Sequence, residues 1–559
     1  MRLADRFNAL ALAALTALAL VILAALLTKG RALSGADGLL AGDQLQYLAW
    51  IREAAHHGLI GNTFDLAPGE RTFLHPGFLF SGLLAALGLS VPLAYLLPWK
   101  PVAVGVLFLG MLRYAERLLP TRGQRRTALV LGLFAVMPAS WIVAFTGWGG
   151  KPRQYSFDFI SGEMWTGGFL WGYLMTAIAV GLMPLVLLGV ERWRAEGARG
   201  VPWLAAGGGL LVSWLQPWQG AELAVIVVAV EGLRALRARR ARDPSSLAPH
   251  TRGAADPSAP VAAPDRRARA RPPAGLLAVL AALAVPLAYY FVLARVDPAW
   301  ELAGEANRAG AMPAWRWPWW AMLLTVAPLA VPAALAYRAP ARGWQEQAVR
   351  VWPLAVLAVY LLPAGTFPYH AFQGLAIPLA ILAVQGTMMV WPAPRPLFVA
   401  GLLMVLTLPG IAHKLDVART SVQAGGDPYF VFGGEQRALA FLARDRRPGG
   451  TLGPSYAGYL LPSATGRETW VGAYSWTPDW NERQRLANDL FEGRLTGAPA
   501  RAFVVSTRAR FLFADCRPLS DLTATLRPLL ERVHRFGCAT VYALRPRPEM
   551  ARAAGPPDA

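Results

Sequence analysis

The chain has 559 residues and a formal net charge of +20, yet it is 55% hydrophobic and only 16% charged. Soluble chains carry about a quarter charged residues, and apolar runs of about 20 residues, enough to span a bilayer, recur as far as residue 412. The composition excludes an ordinary soluble domain. It also excludes nucleic-acid binding as the purpose of the charge, because the excess is Arg in short segments between apolar runs, where it sets orientation across a membrane.

In chain order the apolar runs fall near 8–28, 91–112, 127–146, 168–190, 201–216, 219–233, 274–293, 319–337, 351–366, 371–391 and 396–412. They predict about eleven transmembrane helices. The first run lacks a small-residue cleavage site and is read as a retained helix, not a signal peptide. The Arg-rich segments 113–126, 191–199, 234–271 and 338–350 alternate with loops poorer in basic residues. All four fall on the cytoplasmic side if the N-terminus does, and the C-terminus then emerges outside. Residues 234–273 combine Arg with Pro, Ala and Ser and no apolar period, the composition of a disordered linker that touches anionic headgroups.

The longest outer segment is 29–90. Within it Leu45, Leu48, Ala49 and Ile51 recur at helical spacing, predicting an amphipathic helix in the outer interface. A second short apolar stretch follows at 75–89. From about 430 the composition becomes that of a soluble α/β unit, with strands expected at 451–453, 502–506, 510–514 and 539–544 and helices at 435–444, 480–492 and 520–532. The fold class is therefore an all-α polytopic membrane module over 1–412, followed by an extracytoplasmic α/β domain over 413–559. The two cysteines, Cys516 and Cys538, both lie in that domain. They are either bridged between neighbouring strands, which needs an oxidising compartment, or are two buried thiols.

The informative stretch is Gly42-Asp43-Gln44-Leu45-Gln46-Tyr47. An acidic residue opening an interfacial helix is either its N-cap or a functional group. Asp43 with Tyr47, then Ile51-Arg52-Glu53, then His75-Pro76 ahead of an apolar run, resembles the first outer loop of C-type (GT-C) integral membrane glycosyltransferases. The similarity is to the protein O-mannosyltransferase and aminoarabinose transferase group, whose loop reads Asp-Glu-x-x-Tyr, a helix, then Lys-Pro-Pro. Gln44 stands where that pattern has Glu, and His75 where it has Lys, which keeps a cation available there. The stretches Tyr456 to Pro462, Thr465-Gly466-Arg467 and Thr477-Pro478-Asp479 are similar to C-terminal domains of bacterial members.

This resemblance implies transfer of a sugar from a polyprenyl-phosphate donor to a glycan, lipid or protein acceptor at the outer face of the membrane, with inversion. The acceptor hydroxyl must lose a proton as it attacks, so a positioned carboxylate serves as general base, and Asp43 is that residue. The departing phosphate needs positive charge or donors. Lys100, in Pro98-Trp99-Lys100-Pro101, is the leading choice, against a snorkelling lysine; His75 joins it. Tyr369 and His370 match the Tyr-rich segment that lies near the donor phosphate in the family, or else form an interfacial aromatic cluster. Lys151, Arg153, Asp158 and Glu163 lie in the second outer loop, where the superfamily often carries a further acidic residue for metal or acceptor contacts. No tight metal-ligand spacing occurs, which leaves a divalent ion open as a cofactor. Glu222, at the turn between two apolar runs, either faces the cavity or is held by helix-terminal amides. The competing classes are a transporter or flippase, which would show internal repeats, and a non-catalytic cell-envelope scaffold. The expected partners are the lipid-linked sugar, its acceptor and membrane lipids.

Overall fold

The computed structural model describes residues 5–67, 69–137, 162–198, 200–240, 274–311, 319–362, 367–391, 396–422, 428–517 and 519–546. Every predicted apolar run overlaps a helix among the described residues, although the 127–146 run is helical only to Phe134 and residues 138–146 lie outside them. In order these are α1 (Arg6–Leu27), then α2 (Ala41–His57) and α3 (Pro76–Ala86) of the first outer loop, then α4 (Val91–Leu118), α5 (Arg122–Phe134), α6 (Leu174–Ala195), α7 (Trp203–Leu215), α8 (Pro217–Arg240) and α9 (Ala274–Val296). After these come α10 (Pro298–Ala311), α11 (Trp319–Ala336), α12 (Trp344–Leu361), α13 (Ala376–Val390) and α14 (Pro396–Ser421). Among the described residues α1, α4, α6 and α9 are each long and apolar enough to cross a membrane, and the bent α14 makes up to five. The others are shorter or carry more charge.

Helix α6 is the central post of the bundle, with 72% of its apolar window buried against 28% for α1 and α9 at the periphery. It meets α4 backbone to backbone: a side chain at Gly110 would place its first carbon 2.0 Å from the Gly181 carbonyl. Small residues that let helices approach this closely are the usual means of association where no water drives it. Helix α8 continues through Arg240, so the linker expected over 234–273 is helical at its start. Residues 241–273 lie outside the described residues.

In the first outer loop, α2 buries Leu45, Leu48, Ala49 and Ile51 as the period predicts, and Gly58, at φ +75°, ends it. A short strand, β1 (Ala32–Leu33), pairs antiparallel with β2 (Phe430–Val431), tying this loop to the C-terminal region. That region adds the helices α15 (Gly433–Arg444), α16 (Ser455–Thr465), α17 (Trp480–Phe491) and α18 (Gly497–Ser506). They pack around a four-stranded sheet of order β3–β4–β6–β5, where β3 is Thr451–Leu452, β4 Phe511–Ala514, β5 Leu530–Phe536 and β6 Ala539–Leu544. Only the β3–β4 pair is parallel.

Two expected elements change type. The strand expected at 502–506 belongs to α18, which buries Ala500 and Val504 one helical turn apart; tertiary packing overrides the β-propensity of the Phe-Val-Val run. The helix expected at 520–532 is a short helical turn followed by β5, whose charged residues sit on an exposed sheet edge. Cys516 and Cys538 are disulfide-bonded.

Candidate active site

Several segments converge on one cavity of about 300 Å³ under the C-terminal region. Helix α2 contributes Asp43, Gln46, Tyr47 and Trp50, one face of its first turns. The start of α6 adds Tyr173, the junction of α7 and α8 adds Gln216 and Trp218, and α10 adds Trp300 and Asn307. The C-terminal region closes it with Ser475 and Trp476, and Ser475 Oγ donates to Asn307 Oδ1 at 3.1 Å.

Asp43 sits in the first turn of α2, but the N-cap is Leu40 and no side chain caps the helix. The capping explanation for Asp43 therefore fails, and its carboxylate opens onto the cavity. The Tyr173 hydroxyl donates to Asp43 Oδ2 at 2.6 Å. Among the described residues the second carboxylate oxygen accepts no hydrogen bond and is available to a ligand. Desolvation by the surrounding protein raises the Asp43 pKa above its ordinary value; the Tyr173 hydrogen bond and His370 pull it back, and Glu163 pushes it up.

His370 reaches the cavity from the 3-10 turn Pro368–Phe372. Its Nδ1 lies 3.2 Å from Glu163 Oε2, and Gln373 Nε2 donates to the same oxygen at 2.6 Å. Gln216 donates to Gln373 Oε1, and Gln219 donates to the His370 carbonyl. This amide network fixes the turn that carries His370. Glu163 and Tyr173 also line an adjoining cavity of about 180 Å³ with Lys414 of α14.

Trp50, Trp300 and Trp476 stand edge to face, with Trp476 centroids 5.2 Å from each of the others at interplanar angles of 90° and 85°. Aromatic walls around a few polar groups are the usual build of a small-molecule pocket, and ring faces suit the apolar side of a sugar.

Several expected site residues lie elsewhere. Lys100 is a correction: its Nζ is 2.6 Å from Asp37 Oδ2 and donates to the carbonyls of Ala19 and Leu170. Two of its donors go to carbonyls and its charge is paired with Asp37, so it is not left for a donor phosphate. His75 lines the cavity, but its Nδ1 accepts the Phe78 N–H as the N-cap of α3, and its ring stacks on Phe78. A ring nitrogen that accepts is unprotonated, so His75 is not the expected cation. Tyr369 is 2% exposed, packed beside Tyr360 and Phe367 outside the cavity wall. Glu222 is fully buried in α8 and does not line the cavity. Lys151, Arg153 and Asp158 lie outside the described residues. No group of three or more His, Cys, Asp or Glu among the described residues could hold a metal ion.

Sequence reasoning missed Tyr173, Gln373, Lys414 and the tryptophans. Gln44 explains itself only in three dimensions: its Oε1 accepts the Asp37 and Gly38 amides and its Nε2 donates to Asp37 Oδ1. It is turned from the cavity and holds the partner of Lys100.

No family model matches the chain, and no curated protein matches it. Among solved structures it is similar to ArnT from Cupriavidus metallidurans bound to undecaprenyl phosphate, at 12% identity and TM-score 0.47, covering 99% of this chain and 100% of that one. It is also similar to the archaeal oligosaccharyltransferase AglB from Archaeoglobus fulgidus in complex with an inhibitory peptide and a dolichol-phosphate, at 12% identity and TM-score 0.40, covering 92% and 70%. A third similarity is to the arabinofuranosyltransferase AftD from Mycobacteria, at 16% identity and TM-score 0.49. It covers 97% of this chain but 42% of AftD, so the chain spans less than half of that protein's length.

Proposed function

We propose that the chain is an inverting glycosyltransferase that moves a sugar from a polyprenyl-phosphate carrier to an acceptor at the outer face of the cytoplasmic membrane. The observation that carries this reading is Asp43. It is a carboxylate exposed to an aromatic-lined cavity between membrane helices and the C-terminal region, held on one oxygen by Tyr173, and its surroundings raise its pKa. The motif around it is the one whose resemblance points to lipid-linked sugar transfer.

In this reading the open Asp43 oxygen takes the proton from the acceptor hydroxyl as that oxygen attacks the anomeric carbon and the carrier phosphate leaves. A raised pKa makes Asp43 a stronger base toward that proton than an ordinary carboxylate. The leaving phosphate is met by His370, which the Glu163–Gln373 network orients, and by Lys414 in the adjoining cavity. The tryptophans hold sugar rings. The topology has eleven spans, a cytoplasmic N-terminus and an outward C-terminal domain, which brings Ser475 and Trp476 over the acceptor side.

The test offers purified wild-type and Asp43→Asn protein a panel of radiolabelled polyprenyl-phosphate sugars, with membrane extract as acceptor. Transfer by the wild type, lost in the folded variant, supports the reading. Equal transfer by both removes Asp43 from the chemistry.

A further inference from the structure

Helix α2 has a second face. Opposite Asp43, Tyr47 and Trp50, the residues Leu48, Arg52, Ala55 and His56 line a separate cavity of about 460 Å³, bounded by β1, β2, α15 and α16. Ser34, Ser90, Gln436 and Ser463 make part of its wall polar. It meets a larger groove of about 780 Å³ between α1 and α4, the two sharing Leu33, Ser90 and Pro92 in their linings. The groove wall is apolar apart from Thr16, the shared Ser90 and Lys100, whose ammonium is already committed to Asp37 and two carbonyls. A polar chamber thus opens onto an apolar trough along two membrane helices, the shape of an amphiphile with one charged end.

Arg52 sets the sign of that end. Its Nε donates to the Ser463 carbonyl at 2.7 Å, in the last turn of α16. That contact accounts for one corner of the guanidinium as a helix C-terminal partner. Among the described residues no carboxylate lies within ion-pair distance of Arg52, and its terminal nitrogens make no hydrogen bond. A guanidinium partly withdrawn from water without an anion is costly, and its planar fork fits a phosphate bidentately. His56, one turn on, adds a second nitrogen base.

We infer that the cavity behind α2 binds a glycerophospholipid with an anionic headgroup, its phosphate on the Arg52 fork beside His56 and an acyl chain in the groove between α1 and α4. This lipid is not the sugar carrier, because α2 stands between it and Asp43. Its place is to brace the helix that carries Asp43, two and a half turns before Arg52.

The test is lipid retention by the full chain in detergent, read by native mass spectrometry and lipid extraction after reconstitution in equal phosphatidylglycerol and phosphatidylcholine. The wild type should keep about one phosphatidylglycerol in several-fold excess over phosphatidylcholine. Arg52→Gln should remove the headgroup preference. Gly105→Phe, placed where an added side chain meets nothing within 4 Å and projecting from the groove wall, should lower retention at least fivefold without touching Arg52. Asp43→Asn should retain lipid like the wild type, so the result is independent of whether the sugar-transfer reading holds. Retention in the bulk ratio, retention unaltered by folded Gly105→Phe, or a polyprenyl phosphate in place of the phospholipid would each overturn the inference.

Discussion

Lys100 and Asp37 form an ion pair of 2.6 Å with side chains 6% and 1% exposed, joining α4 to the loop that leads into α2. Gln44 holds the other Asp37 oxygen. Taking one charge away strands the other, and breaking a buried pair from one side costs about 3–5 kcal/mol. Lys100→Met is therefore expected to lower the thermal midpoint sharply and to yield little folded protein. Adding Asp37→Asn to it should recover much of that loss, because no buried charge is then left alone. Thermal melts of the two variants in detergent check this. A Lys100→Met protein of wild-type stability but low donor affinity would return Lys100 to the phosphate.

The Asp43–Tyr173 pair predicts a pH profile. The Asp43 pKa is raised mainly by desolvation and lowered by the Tyr173 hydrogen bond. A base works only when ionised, so activity falls as pH drops through that pKa, and the acid limb should lie above the ordinary carboxylate range. Tyr173→Phe removes a stabiliser of the ionised form and should move the limb to still higher pH, with a rate loss on the order of tenfold for one hydrogen bond to a charged group. Asp43→Asn should remove roughly 10² or more of the rate. Stability carries the opposite sign. A carboxylate whose pKa is raised on folding stabilises the fold below its unfolded value and loses that contribution as pH rises through the folded value. At neutral pH Asp43→Asn is therefore expected to melt no lower than the wild type. Transfer rates across pH, with melts at pH 7, check both.

How far the chain discloses this from its residues alone depends on the range of the interaction. Hydrophobic period is local, so α2 and the apolar helices overlap the runs that the sequence sets out, and Asp43 stands out because its neighbours in sequence form a motif. Lys100 misleads for the same reason: the stretch Pro98-Trp99-Lys100-Pro101 suggests a cation for the phosphate or a snorkelling lysine, while its partners Asp37, Ala19 and Leu170 come from three distant segments. Tyr173 lies 130 residues from Asp43, and Trp300 and Trp476 come from separate parts of the chain, so no spacing rule could join them. The 502–506 error is of another kind. The Phe-Val-Val run favours a strand by propensity, and only the packing of Ala500 and Val504 makes it helical.

The tryptophan wall should act on binding more than on chemistry. Trp476 touches both Trp50 and Trp300 edge to face and offers the C-terminal region's largest ring to the cavity. Trp476→Ala is expected to raise KM for the sugar-bearing substrate about tenfold or more with a smaller change in kcat, because ring contacts made equally before and during reaction are uniform binding. Trp476→Phe should recover part of the affinity. Steady-state kinetics of the three proteins separate this from a general loss of fold, which would lower kcat through the fraction active and leave KM alone.

The Cys516–Cys538 bond closes a short loop, at a sequence separation of 22, between the end of β4 and the β5–β6 turn. It lies beside α15: Glu435 Oε1 accepts the Cys516 amide, and a side chain at Gly434 would run into both sulfurs. Chain-entropy arguments assign such a loop about 3 kcal/mol of stability, so Cys516→Ser with Cys538→Ser should lower the melting point of the C-terminal region, whose 3-10 turn places Ser475 and Trp476 at the cavity. The bond also reports on topology, since disulfides persist in oxidising compartments and not in the cytosol. Alkylation of protein from intact cells, followed by mass spectrometry, is expected to find both cysteines blocked until a reductant is added. Labelling of both as free thiols without reductant would place this region on the cytoplasmic side and reverse the orientation read from the Arg-rich loops.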